Sequence, residues 1–173
     1  AFLEELRAKA KPAADKELRA LKDLATKSGV EKIQKWDASF YSEKLKKELF
    51  DFDQEALRPY FKLDNVLEGA FEIAERLFDL RFEKTSDIET YHEDVQTYIV
   101  KENGRFKAVF YADFFPRKGK RGGAWMNSYV SQSALMKTLP VVANHLNITK
   151  PPAGEPTLLT FDEVTTMFHE FGH

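Results

Sequence analysis

Apolar residues recur at helical spacing through the first half of the chain and alternate with polar ones through part of the second. In residues 1–28, Phe2, Leu3, Leu6, Leu18, Leu21, Leu24 and Ala25 form a stripe among Lys, Glu and Arg. This predicts a helix, stopped by Ser28-Gly29 and kinked or divided at Pro12. Residues 30–50 keep the spacing with Ile33, Trp36, Phe40, Tyr41, Leu45, Leu49 and Phe50. Aromatic stripes on helices are usually buried, so Trp36, Phe40 and Tyr41 are expected in a core. A short helix is expected over 53–60 and a longer one over 63–80, with Asp64 as N-cap. Val66, Leu67, Phe71, Ile73, Ala74, Leu77 and Phe78 form its apolar face.

Near Thr90 the period changes from helical to alternating. Val95, Thr97, Ile99 and Lys101 alternate with Gln96, Tyr98 and Val100, and Asn103-Gly104 then offers the dipeptide of a type I′ turn. Residues 94–115 therefore read as a β-hairpin, and 140–148 as a further strand. The fold class expected is α+β, mainly helical. Helices over 1–85 precede a small antiparallel sheet over 90–150, then a last helix over 160–173, all within one partial domain.

That last helix carries the candidate chemistry. Thr160 and Glu163 fit a capping box, and Asp162 and Glu163 place negative charge at the positive end of the helix dipole. His169 and His173 are i and i+4, so both imidazoles leave one face, a turn apart. Two nitrogens held this way can grip one small cation, and zinc suits imidazole while keeping an open position for water. Glu170 projects beside them, placed to take a proton from that water. The pattern H-E-x-x-H is that of zinc peptidases with Glu as general base. Val164, Met167, Phe168 and Phe171 make the helix apolar enough to be buried. Five residues can also match by chance, and two His on a helix can be merely solvated.

Composition narrows the choice. Charged residues are 31% and hydrophobic ones 43%, the balance of a globular chain. The net charge of -2 gives no reason to expect a nucleic-acid or anionic-membrane partner. The absence of Cys leaves His and carboxylate as metal ligands. No apolar run has transmembrane length. The first residues open directly in a helical pattern and the last lie in mid-helix, so a piece of a longer protein is expected.

Other motifs carry weaker signals. The run Pro116-Arg117-Lys118-Gly119-Lys120-Arg121-Gly122-Gly123-Ala124-Trp125-Met126 lacks phosphate-loop spacing. It reads as an exposed basic turn entering a short strand. The sharper reading makes Gly123, Ala124 and Trp125 a sheet edge that pairs with an extended peptide. His92 and His145 read as surface or satisfied core residues. Asn147-Ile148-Thr149 matches a glycosylation sequon.

Three stretches resemble the M3 zinc oligopeptidases, a family that includes thimet oligopeptidase, oligopeptidase A and the peptidyl-dipeptidases. They are Phe168-His169-Glu170-Phe171-Gly172-His173, Trp36-Asp37-Ala38-Ser39-Phe40-Tyr41, and Tyr111-Ala112-Asp113-Phe114-Phe115-Pro116 continuing through the basic turn to Met126. The last is most similar to the peptidyl-dipeptidase branch. The resemblance implies a mostly helical metallopeptidase in which a small sheet flanks the zinc helix. It implies His169 and His173 as zinc ligands, Glu170 as base, and Gly123 and Ala124 at the substrate-pairing edge. Short peptides are the implied substrates. A third ligand, a Glu, and further Tyr and His residues are implied downstream of His173. The piece alone is therefore expected to be inactive, with the rest of its own polypeptide as a candidate partner chain. The compartment expected is the cytoplasm, with the periplasm as the alternative. The rival function is a non-catalytic helical interaction module with a fortuitous or decayed H-E-x-x-H.

Overall fold

The computed structural model describes residues 1–50 and 54–173. They fall into two compact units, Ala1–Asp53 and Gln54–His173. In the first, α1 (Phe2–Lys27) is a single helix that continues through Pro12, with a Lys9–Glu5 pair one turn before it and a Lys11–Asp15 pair bridging across it. Helix α2 (Ala38–Phe50) packs on it through a small core of Leu24, Ala25 and Tyr41, with Leu21, Val30, Ile33 and Leu45 around them.

The aromatic stripe expected over 30–50 is corrected here. Only Tyr41 is buried; Trp36 and Phe40 are 80% and 64% exposed. The cause is where the helix begins. Asp37 Oδ2 accepts from Gln34 N at 2.9 Å and Asp37 O accepts from Tyr41 N at 3.1 Å, so the chain turns before Ala38. Trp36 is thereby left outside the helical register.

The second unit opens with a 3₁₀ turn, Gln54–Tyr60, where a helix over 53–60 was expected; residue 53 lies outside the described residues. Helix α3 (Leu63–Phe78) follows, capped by Lys62 in extended conformation rather than by Asp64. A main-chain partner replaces the side-chain cap: Leu63 N donates to Thr157 O at 2.9 Å, and Leu159 N donates to Phe61 O at 2.8 Å. Val66, Leu67, Ala70 and Ala74 form its buried face, while Ile73, Leu77 and Phe78 are exposed. Asp79 ends α3 in the left-handed region (φ 56°). The chain turns there into a strand, β1 (Leu80–Thr85), where helix was expected to run on to Leu80.

Strands β2 (Gln96–Glu102) and β3 (Arg105–Asp113) form the expected hairpin, with Asn103 and Gly104 both at positive φ (50° and 74°), as a type I′ turn requires. Strands β4 (Trp125–Val130) and β5 (Val141–His145) complete a sheet of order β1-β2-β3-β5-β4. The sheet is mixed rather than purely antiparallel. The chain leaves β3, forms β4 at the edge, and returns as β5 into the gap, parallel to β3.

The two faces of the sheet differ. Tyr98, Val100, Ala108, Phe110, Ala112 and Phe114 join α3 and the last helix, α4 (Phe161–Gly172), in the main core. Phe71 stacks flat on Phe82 at 4.1 Å, and Phe171 of α4 packs beside both. Thr97, Asp113 and His145, on positions of the other parity, point to the opposite face. No described helix is long and apolar enough to cross a membrane.

Candidate active site

Helix α4 is fixed at its start by both predicted devices. Thr160 Oγ1 accepts from Glu163 N at 3.1 Å, and Glu163 Oε2 accepts from Thr160 N at 2.7 Å, closing the capping box. Just before it, Leu159 is fully buried, and Leu158 bridges to Lys62, so the two helix starts are tied together. Met167, 2% exposed, and the partly buried Val164, Phe168 and Phe171 anchor the helix to the core.

This anchoring leaves His169 and His173 exposed on the outer side, with their Nε2 atoms 3.3 Å apart. Two imidazole nitrogens on one tetrahedral zinc, each about 2.0–2.1 Å from it, stand about 3.3–3.4 Å apart. The separation of the pair matches that spacing. Among the described residues no third His, Cys, Asp or Glu joins them.

Glu170 is turned inward from the pair and is 8% exposed. No described side chain donates to its carboxylate or pairs with it, so no buried arginine locks it away. It lines an apolar hollow of about 310 Å³ with His173, Phe82, Phe110 and Phe171. Asn144 of β5 shares this hollow; it is 4% exposed, and its Nδ2 has no hydrogen-bond partner among the described residues. An unpaired buried donor of this kind costs about 1–3 kcal/mol.

A second, open cleft of about 450 Å³ runs between the basic turn and α4. Gly123, Ala124, Asn147, Glu163 and Thr166 line it. Glu163 and Thr166, neighbours at i and i+3, form the α4 wall of this cleft. Gly123 has φ +83°, which bends the chain into β4, and β4 lies at the edge of the sheet. Trp125, the first residue of β4, is opposite His145 and stacks on it at 4.5 Å. Thus Gly123 and Ala124 face the cleft, and Trp125 secures the strand behind them.

Sequence reading missed what holds this turn. Asp113 is fully buried, and four side chains donate to it. Arg117 binds it bidentately at 2.7 and 2.9 Å, Lys120 Nζ at 3.0 Å and Tyr91 OH at 3.0 Å, and His145 Nδ1 lies 3.0 Å away. Burial alone would raise the Asp113 pKa, but the hydrogen bonds from Arg117 and Lys120 hold it far below the usual carboxylate range. Burial lowers the pKa of Lys120 and of His145, and Asp113 only partly offsets this in each. His145 is a satisfied core residue, as expected for a lone histidine. The signal was a single Asp in the apolar run Tyr111-Ala112-Asp113-Phe114-Phe115 ahead of alternating cations, since a buried acid needs a cationic partner.

Similarity to known proteins covers the whole chain. The model of Peptidase family M3 matches residues 1–173. The chain is 46% identical over 175 residues to the dipeptidyl carboxypeptidase of Escherichia coli K12, spanning 99% of this chain and 26% of that protein. It is 40% identical over 177 residues to oligopeptidase A of Haemophilus influenzae, again 99% of this chain and 26% of the relative. Saccharolysin of Saccharomyces cerevisiae is 33% identical over 192 residues, covering 99% and 27%. The chain thus spans about a quarter of the length of these relatives.

Proposed function

The chain belongs to peptidase family M3, and we propose that the protein carrying it is a zinc metallopeptidase that hydrolyses short peptides. The separation of the two Nε2 atoms, 3.3 Å, beside an unengaged, buried carboxylate carries this reading. The names of two relatives, a dipeptidyl carboxypeptidase and an oligopeptidase, support peptides as the substrate class.

His169 and His173 would hold the ion through Nε2, and the family resemblance assigns the third ligand to a Glu outside residues 1–173. When bound, zinc would supply a Lewis acid that polarises the scissile carbonyl and makes water a stronger nucleophile. Glu170 accepts the proton of the attacking water and delivers it to the leaving amine as the C–N bond breaks. Its apolar surroundings keep competing water away from the carboxylate. Gly123 and Ala124 present main chain to an extended peptide along the cleft, the geometry of strand addition at a sheet edge. Edge pairing of this kind reads backbone rather than side chains, which suits a peptidase acting on varied short peptides.

The test is hydrolysis of an internally quenched oligopeptide by the full-length protein. Chelation should abolish it and stoichiometric zinc should restore it. Hydrolysis that persists in the metal-stripped protein would refute the proposal.

A further inference from the structure

The basic turn between β3 and β4 is held by a double clamp. Lys120 is drawn inward until its side chain is 2% exposed. Its ammonium meets Asp113 Oδ1 at 3.0 Å and the carbonyls of Asp113 and Phe115 at 2.8 Å each, and it also donates to Leu146 O. One cation thereby ties the turn to the ends of both β3 and β5. On the cleft side, Asn147 Nδ2 donates to Arg121 O at 2.9 Å and Gly123 O at 2.7 Å. Both amide hydrogens of Asn147 are spent on the main chain of the turn. Asn147 also lines the cleft with Gly123 and Ala124. Arg121, whose carbonyl it holds, lays its guanidinium over Trp125 at 4.7 Å. Asn147 therefore has a use other than as a glycan acceptor.

Residues 119–123 contain three glycines, and a turn of that composition has many conformations to lose on ordering. A peptide that docks on Gly123 and Ala124 must bear that ordering cost unless the protein has borne it already. We propose that Asn147, backed by the Asp113–Lys120 pair, is a positioning residue for substrate: it holds the Gly123–Ala124 main chain in its peptide-receiving conformation before the peptide arrives. This rests on the reading of the cleft as a peptide site. Asn147 does not touch the reacting atoms. It acts through the turn, so its loss weakens ground-state and transition-state binding of the peptide alike.

The discriminating variant is Asn147→Asp in the full-length, zinc-loaded protein. Asp has the shape of Asn but no amide hydrogens, and its carboxylate would face two carbonyl oxygens. With an internally quenched oligopeptide, KM is expected to rise about tenfold or more, while kcat and zinc content stay near wild type. Amide hydrogen exchange over residues 121–125 in the substrate-free protein is expected to accelerate. A KM within about twofold of wild type overturns the proposal, and so does loss of zinc, which would make Asn147 a support of the metal helix. If Asn147→Asp fails to fold, Asn147→Ala, which adds no charge, is read by the same criteria. A wild-type protein that binds zinc yet cleaves no peptide would refute the peptidase reading instead. In that case unchanged exchange in the variant would refute the clamp, and accelerated exchange would retain it.

Discussion

His169 Nε2 and His173 Nε2 stand 3.3 Å apart on the outer face of α4, the distance at which two imidazoles share one tetrahedral ion. Both side chains are exposed, so replacing either removes an imidazole without opening the core. His169→Ala and His173→Ala in the full-length protein should each retain native circular dichroism and lose stoichiometric zinc. Metal analysis checks this; a variant that keeps one zinc per chain would show that its histidine is not a ligand.

The buried ion pair makes a different prediction. Lys120→Met removes the ammonium from four oxygens in a dry site and leaves Asp113 with less compensation. Removing one partner of a buried pair costs about 3–5 kcal/mol. Arg117 remains bound to Asp113, which places the expected loss at the low end, about 3 kcal/mol. Chemical denaturation measures it, and a loss under about 1 kcal/mol would contradict the clamp's structural part.

Thr160→Ala should cost about 1 kcal/mol, because it leaves the Glu163 amide without its acceptor at 3.1 Å. Thr160→Ser should restore most of that. Comparison of the two midpoints separates capping from packing, and equal losses would argue that the methyl, not the hydroxyl, carries the effect.

His145 predicts the response to acid. It is enclosed by Asp113 from β3, Tyr129 and Trp125 from β4, and Lys120 and Arg117 from the turn. Burial holds its pKa below the ordinary value of about 6.5. As pH falls through that value the unfolded chain takes up a proton that the folded one refuses, so stability drops. Well above it both states are neutral at this residue and the contribution vanishes. Asp113, with its pKa depressed, adds stability above the ordinary carboxylate range that is lost in stronger acid. An NMR titration of the His145 ring should show a midpoint below about 6.5; a midpoint above it would mean that Asp113 outweighs burial.

Much of this was legible in residue patterns because local physics decided it. Thr160 and Glu163 announce their helix, and Asn103-Gly104 announces its hairpin, since each motif satisfies its own backbone groups. The histidine pair was legible because a helix maps i and i+4 onto one face. What failed depended on distant chain. Asp64 looked like a cap, but Thr157 supplies the partner for the start of α3 from about ninety residues away, by main chain alone. β1 was hidden because Asp79 stops the helix through a left-handed φ that its residue type does not demand. Lys120 looked solvated among its basic neighbours; only the return of β5 beside β3 brings the Leu146 carbonyl to it.

Glu170→Gln tests the central claim most directly. The substitution preserves shape and leaves both imidazoles in place, but removes the proposed base. Measured on the full-length protein for zinc content and peptide hydrolysis together, it should keep one zinc per chain and lose about 10²–10⁴-fold in kcat. A Glu170→Gln protein that binds zinc and turns over peptide at the wild-type rate would contradict the account.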